Sequence, residues 1–280
     1  MKEQELNIRR ILVALDSSTH SLAALQAAAQ LAASLHAELI GIFVEDENLV
    51  HLAGLPFAHE LRSPAAKRRP MSSEAMERQL HLQAAQARRA LEKAAERVNA
   101  QWSFRTIRGQ VTPSILSAAL DADLVALGRV SRPLHFRSRL GSTARAAFMK
   151  TDRSVLVMQQ GSDLSYPVLV TYDGSNAAQQ ALAAAAKLAH FSGDKLNVLL
   201  LSAEIEQATP LRDEVSAWLD ERSLSAEFHW LPEPTVGKLA EVVRSSENCM
   251  LVLGGDNPLL SAEAIQELLD ETDCPVMLVR

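Results

Sequence analysis

The stretch Gly128-Arg-Val-Ser131-Arg-Pro-Leu-His-Phe-Arg-Ser-Arg-Leu-Gly141-Ser142-Thr143 concentrates groups that can hold an anion. Gly128 lets the backbone turn tightly and approach a ligand without a Cβ. Gly141-Ser142-Thr143 offers amide N–H groups and two hydroxyls at the expected start of a helix, where anions bind. Seven cations (Arg129, Arg132, Arg137, Arg139, Arg145, Lys150 and Arg153) fall within 25 residues, against one acid, Asp152. In a protein of net charge -6 this is a local positive field suited to phosphate. The same composition also fits a solvated basic loop ahead of an ordinary glycine-started helix. Asp16, after the apolar run Ile11-Leu-Val-Ala-Leu15, is a second polar group at an expected strand end.

Other chemistries find no support in the residue pattern. Neither a G-x-G-x-x-G turn nor a GxxxxGK[ST] loop is present. Asp16 lacks the acidic pair and lysine of a phosphoacceptor site. His51 and His59 lack metal-ligand spacing, and no metal site is expected. Ser142 and Ser175 lack the flanking glycines of a nucleophile elbow, and no nucleophile, base and oxyanion hole come together. Cys249 and Cys274 form no CxxC pair and fall in or beside expected strands. They read as small core residues in a reducing compartment.

The elements that must position these residues occur twice. Ile11-Leu-Val-Ala-Leu-Asp16-Ser-Ser18 matches Val168-Leu-Val-Thr-Tyr-Asp173-Gly-Ser175, and each is followed by an Ala-rich helical stretch. Asp123-Leu-Val-Ala-Leu-Gly128 matches Met250-Leu-Val-Leu-Gly254, and Thr151-Asp152 before an apolar run matches Thr272-Asp273. Three landmarks in one order mark a duplication, with domains expected at 1–162 and 163–280. The first copy reads as strand 8–15, helix 18–35, strand 38–44, loop 45–71, helix 72–100 capped by Ser73, strand 102–108, helix 112–120, strand 123–127, loop 128–140, helix 141–150 and strand 154–158. Short apolar strands alternating with helices predict a parallel sheet covered on both faces. Ligands then sit beyond the strand ends where the winding reverses, at Asp16, Val44 and Gly128. The second copy loses residues after its second strand and again in the phosphate-loop region. The segment 45–71 reads either as a lid or docking surface or as a merely mobile connection.

Totals bound the rest. A chain of 280 residues, 48% apolar, suits two α/β domains. Residues 1–162 carry 21 Lys+Arg and 15 Asp+Glu, whereas 163–280 carry 7 and 19. So acidic a second half disfavours nucleic-acid binding. The polar start and the lack of long apolar runs disfavour a signal peptide or membrane span, and a cytoplasmic location is expected.

Asp16 after the first strand, Val44 ending the second, and the G-x2-G-x9-G-[ST] spacing of Gly128, Ser131, Gly141 and Ser142 resemble the universal stress protein family, across essentially the whole chain as a tandem member. The resemblance implies two doubly wound, five-stranded parallel-sheet units related by a pseudo-twofold axis, of the adenine nucleotide α-hydrolase type. It implies ATP or another adenine nucleotide, with magnesium as an accompanying ion, held in the first unit. There Asp16 and Val44 would meet the nucleoside, and Gly128, Ser131, Gly141, Ser142 and Thr143 the ribose and phosphates. Ser131 replaces the middle glycine of that pattern. The second unit, with Gly254-Gly-Asp-Asn-Pro258 and no following Gly-Ser, resembles the non-binding branch, with no nucleotide expected. The final strands Ser154–Met158 and Pro275–Val279 are apolar edges expected to pair antiparallel within one chain, making an intramolecular pseudo-dimer. The expected function is a stress-response protein with a regulatory nucleotide and at most slow ATP hydrolysis. The alternative is a nucleotide-independent scaffold or chaperone-like protein.

Overall fold

The computed structural model describes residues 7–16, 18–56, 59–60, 69–70, 72–130, 140–246, 248–255 and 262–280. The first half runs β1 (Arg10–Ala14), α1 (Thr19–Leu35), β2 (Glu38–Asp46), α2 (Glu47–Ala53), β3 (His59–Glu60), β4 (Arg69–Pro70), α3 (Ser73–Val98), β5 (Trp102–Gly109), α4 (Val111–Ala119), β6 (Leu124–Gly128), α5 (Ser142–Lys150) and β7 (Ser154–Met158). The second half repeats it without the inserted pieces: β8 (Val168–Tyr172), α6 (Asn176–Ala189), β9 (Leu196–Ser202), α7 (Ile205–Asp220), β10 (Glu227–Pro232), α8 (Val236–Ser245), β11 (Met250–Gly254), α9 (Ala262–Glu271) and β12 (Val276–Val279).

Ten strands form one sheet in the order β10-β9-β8-β11-β12-β7-β6-β1-β2-β5, which repeats the same nesting from either edge. Every pairing in it is parallel except the central one. There β12 runs antiparallel to β7, with Val276 opposite Val157, Met277 opposite Leu156 and Leu278 opposite Val155. The two apolar edges therefore do close on each other, hiding backbone groups that would otherwise template a foreign strand.

Strand residues alternate between two apolar layers, because successive side chains point to opposite faces. Ile11 and Val13 join one layer with α1, α3, α6 and α7. Leu12 joins the other with α4, α5, α8 and α9. Both faces are thus covered, as a parallel sheet of Val, Ile and Leu requires. The helices begin where serines stop the strand turns: Ser18 Oγ accepts from Ser21 N, and Ser175 Oγ from Ala178 N.

Two expectations need correction. The expected loop 45–71 contains α2, capped by Asp46 accepting from the Asn48 amide at 3.0 Å, and the strand pair β3–β4. Only Val50 and Ala53 of α2 are buried, so its apolar signal is too short to show periodicity. The cap of α3 is Ser72, whose Oγ accepts from Ala75 N, while the Ser73 hydroxyl instead donates to Val50 O and ties α3 to α2.

Candidate nucleotide cleft

Asp16 is held by a knot of local bonds. Its Oδ1 accepts from Ser18 N at 2.9 Å, and the Ser21 hydroxyl donates to the carbonyls of Asp16 and Ser18 at 3.1 and 3.0 Å. Among the described residues Oδ2 takes no hydrogen bond. Asp173 repeats the first part, accepting from Ser175 N at 2.9 Å. At the place of Ser21, however, it has Ala178, so the second knot is looser.

The register determines what β2 offers. Glu38 N donates to Arg9 O and Ile42 O accepts from Leu15 N, whereas Leu39 N donates to Gln101 O. Even-numbered residues of β2 therefore direct both backbone groups toward β1, and odd-numbered ones toward β5. The β1 ladder ends with Ala14 opposite Ile42, while β5 continues alongside β2 to Asp46. Val44 N–H and C=O consequently point past the end of β1, where the chain has turned away into the Asp16 knot.

That open edge borders a cleft of about 460 Å³ at the C-terminal ends of β1, β2 and β6. In the sheet order the winding reverses between β1 and β6, which is where ligands of open α/β sheets bind. Asp16, Val44, Gly128 and Thr143 all line the cleft. Ile42, Leu80 and Ile115 make its walls apolar, and Gln83 of α3 adds an amide. The Thr143 hydroxyl lies 3.0 Å from that of Thr112. Gly141 is the N-cap of α5, its own N–H donating to Arg129 O at 2.8 Å, and Ser142 is exposed on the first turn. The amides of Ser142, Thr143 and Ala144 have no intrahelical partner. Ser131, with Arg132, Arg137 and Arg139, lies outside the described residues.

The cation cluster is not spent as its sequence position suggests. Arg129 is 1% exposed, and its guanidinium donates to the carbonyls of Leu269 and Thr272 at the end of α9. Arg145 pairs with Asp270 of α9 at 2.8 Å, and Arg153 donates to Leu120 O. Of the seven cations in that stretch, these three serve packing. Among its described residues, the lining carries two carboxylates, Asp16 and Asp46, and no Lys or Arg.

Gly128 also has a packing duty. A Cβ there would lie 2.7 Å from Ser21 N and 2.8 Å from His20 C, so the glycine lets α1 sit directly on the end of β6. Gly254 does the same against Ala177 at 2.7 Å. A glycine kept at both sites therefore reports helix–strand contact as much as a ligand.

The second half closes the corresponding space. Leu201 of β9 stands where Val44 does and is 2% exposed, and Tyr172 replaces Leu15 and is fully buried. Burial and Glu214 push the Tyr172 phenol upward, keeping it neutral. The connection also shortens. β2 ends at Asp46 with α3 beginning at Ser73, whereas β9 ends at Ser202 with α7 beginning at Ile205. No counterpart of α2 overhangs the second half.

A doubly wound, mostly parallel sheet with helices on both faces and a cleft at its switch point places the chain among the open α/β proteins. Residues 7–159 match the model of the universal stress protein family, and the chain belongs to that family. Among solved structures, a universal stress protein from Archaeoglobus fulgidus is similar over 99% of both chains, at 15% identity and a TM-score of 0.68. A putative universal stress protein from Pseudomonas aeruginosa is similar over 98% of this chain and 94% of its own, at 13% identity and a TM-score of 0.58. A functionally unknown protein from Pseudomonas aeruginosa follows at 12% identity and 0.59, over 98% and 93%. These likenesses establish the fold along the whole chain. No curated protein matches it in sequence.

Proposed function

We propose that this protein binds one adenine nucleotide per chain, ATP or a close relative, in the cleft of its first half, as a regulatory ligand in a stress response. The backbone of Val44, which takes no hydrogen bond from β1 among the described residues, carries the reading. An N–H and a C=O side by side on an apolar wall match the acceptor and amino donor on the edge of adenine, and pairing them there satisfies groups that sit at a cost when buried without a partner. Asp16 Oδ2 accepts from ribose hydroxyls. The first-turn amides of α5 and the Thr143 hydroxyl receive phosphate, helped by the partial positive charge of the helix start. Gly128, Ser131, Gly141 and Ser142 complete the turn around the phosphates. Asp16 and Asp46 also give magnesium a place among the anions. The volume lies within the roughly 300–1,000 Å³ usual for small-molecule sites.

Binding rather than turnover is favoured because each described carboxylate of the lining already orders a turn or a helix start. The filled second half and the use of Arg129 and Arg145 in packing favour the other reading, a nucleotide-independent scaffold. Mass spectrometry of the purified protein for co-purifying nucleotide, with calorimetric titration of ATP, ADP and AMP, separates the two. One site per chain supports the proposal, and no heat and no bound nucleotide leaves the scaffold.

A further inference from the structure

The two cysteines, 25 positions apart in the chain, meet in space. Leu251 of β11 is opposite Val276 of β12, and Leu251 N donates to Pro275 O at 2.9 Å. Two steps back along this parallel register, Cys249 falls opposite Cys274. Both belong to the same apolar layer, so their side chains share one face of the sheet. Neighbouring strands run about 4.8 Å apart, inside the roughly 4.4–6.8 Å Cα separation that a disulfide spans. Both are free thiols here, at 2% and 7% exposure.

Burial alone would make them inert. A second feature works against that. A partly open cavity of about 190 Å³ is lined by both cysteines, with Gln159, Arg244, Asn248 and Asp273. It is large enough for a hydroperoxide or a small disulfide to enter, and polar enough to admit water. The Cys249 thiol lies 3.9 Å from Val243 O, to which it donates, and the nearness of the two sulfurs shifts their pKa values apart, Cys249 downward and Cys274, also pushed by burial, upward. Both sulfurs line the cavity, and the downward shift favours Cys249 as the one that attacks first.

We infer that Cys249 and Cys274 are a reversible redox pair, oxidised by hydroperoxide entering this cavity to a disulfide joining the start of β11 to that of β12. The Cys249 sulfur attacks one peroxide oxygen. The O–O bond breaks, the sulfur becomes a sulfenic acid, and the second oxygen leaves as water with the thiol proton. Cys274 sulfur then attacks the sulfenic sulfur. The S–S bond forms, the S–O bond breaks, and that oxygen leaves as water with the Cys274 proton. Two thiols and one hydrogen peroxide thus give one disulfide and two waters, and a small dithiol reverses the change.

The test uses the full chain and does not involve nucleotide. Protein treated with a small excess of hydrogen peroxide is denatured under an alkylating agent, its thiols are counted, and its peptides are mapped without reductant. Both thiols should disappear together, the peptides holding Cys249 and Cys274 should run as one cross-linked species, and dithiothreitol should restore both thiols. Cys249→Ser, checked for native circular dichroism, should keep its remaining thiol at least ten times longer at the same peroxide. Two thiols persisting in the wild type, cross-links only between chains, or sulfinic acid without the cross-link would overturn the inference. Because the wild-type map decides alone, a variant that fails to fold does not rescue it.

Discussion

Asp16 is shaped by bonds within six residues, so its effect on ligand should separate from its effect on fold only partly. Asp16→Ala removes a charge-assisted contact to ribose worth about 1.5–3 kcal/mol, and titration with ATP should weaken roughly ten- to hundredfold. Asp173→Ala, at the matching place, should leave the titration unchanged. Gly128 makes the opposite kind of test. Gly128→Ala would drive a methyl into the backbone of Ser21 and His20 and should destabilise the fold by about 1–3 kcal/mol. Urea denaturation without nucleotide measures this, and an unchanged midpoint would mean that α1 does not rest on β6. His20 adds a pH effect. Its Nδ1 accepts from Gln160 N at 3.1 Å, and burial, then Arg129, lower its pKa. The folded state therefore resists a proton that the unfolded chain takes up below about pH 6.5. Stability should rise with pH up to that value and fall below it. His20→Gln should flatten that part of the profile in thermal melts across pH 5–7.5.

At the scale of elements, two arginines fasten the halves reciprocally. Arg129, just after β6, donates to the last carbonyls of α9, and Arg280, just after β12, donates to Phe148 O and Thr151 O at the end of α5. A cation suits a helix C-terminus, where carbonyls lack intrahelical partners. Burial lowers the pKa of Arg129, and Asp273, 4.0 Å away, opposes that shift. Arg129→Met keeps the volume but leaves two carbonyls without that donor. It should destabilise the protein by about 1–3 kcal/mol for each one left unpaired, read as a lower urea midpoint. Unchanged stability would mean that water replaces the guanidinium at no cost.

Across the whole molecule, β7 and β12 are central strands of one sheet rather than two edges. Val157→Pro removes a ladder N–H from a strand paired on both sides. It should therefore impair both halves together, and a single broad loss of protease resistance is the expected readout. Independent survival of one half would show that the halves are loosely joined. The opposite net charges of the halves find local form in Arg145–Asp270, where Asp270 also accepts from Leu140 N at 3.3 Å. A pair about a third exposed is still partly screened by salt, whereas the β7–β12 ladder is not.

The sequence by itself determined the alternation of strands and helices, the order in which it recurs along the chain, and the strand ends to inspect. These are local properties: apolar periodicity, a serine at a helix start, a glycine where a turn must be tight. It also placed the pairing of the last strands, because an apolar edge with unpaired amides has few other resting places. Tertiary structure alone decided what the cations do. A long arginine reaches whichever carbonyls packing brings near, so Arg129 and Arg145, adjacent in sequence to a phosphate-loop pattern, turn to α9 instead. It likewise decided that Val44 has an open backbone edge, since that depends on β1 ending while β5 continues. The meeting of Cys249 and Cys274 follows from the register of two strands, which no spacing along the chain announces.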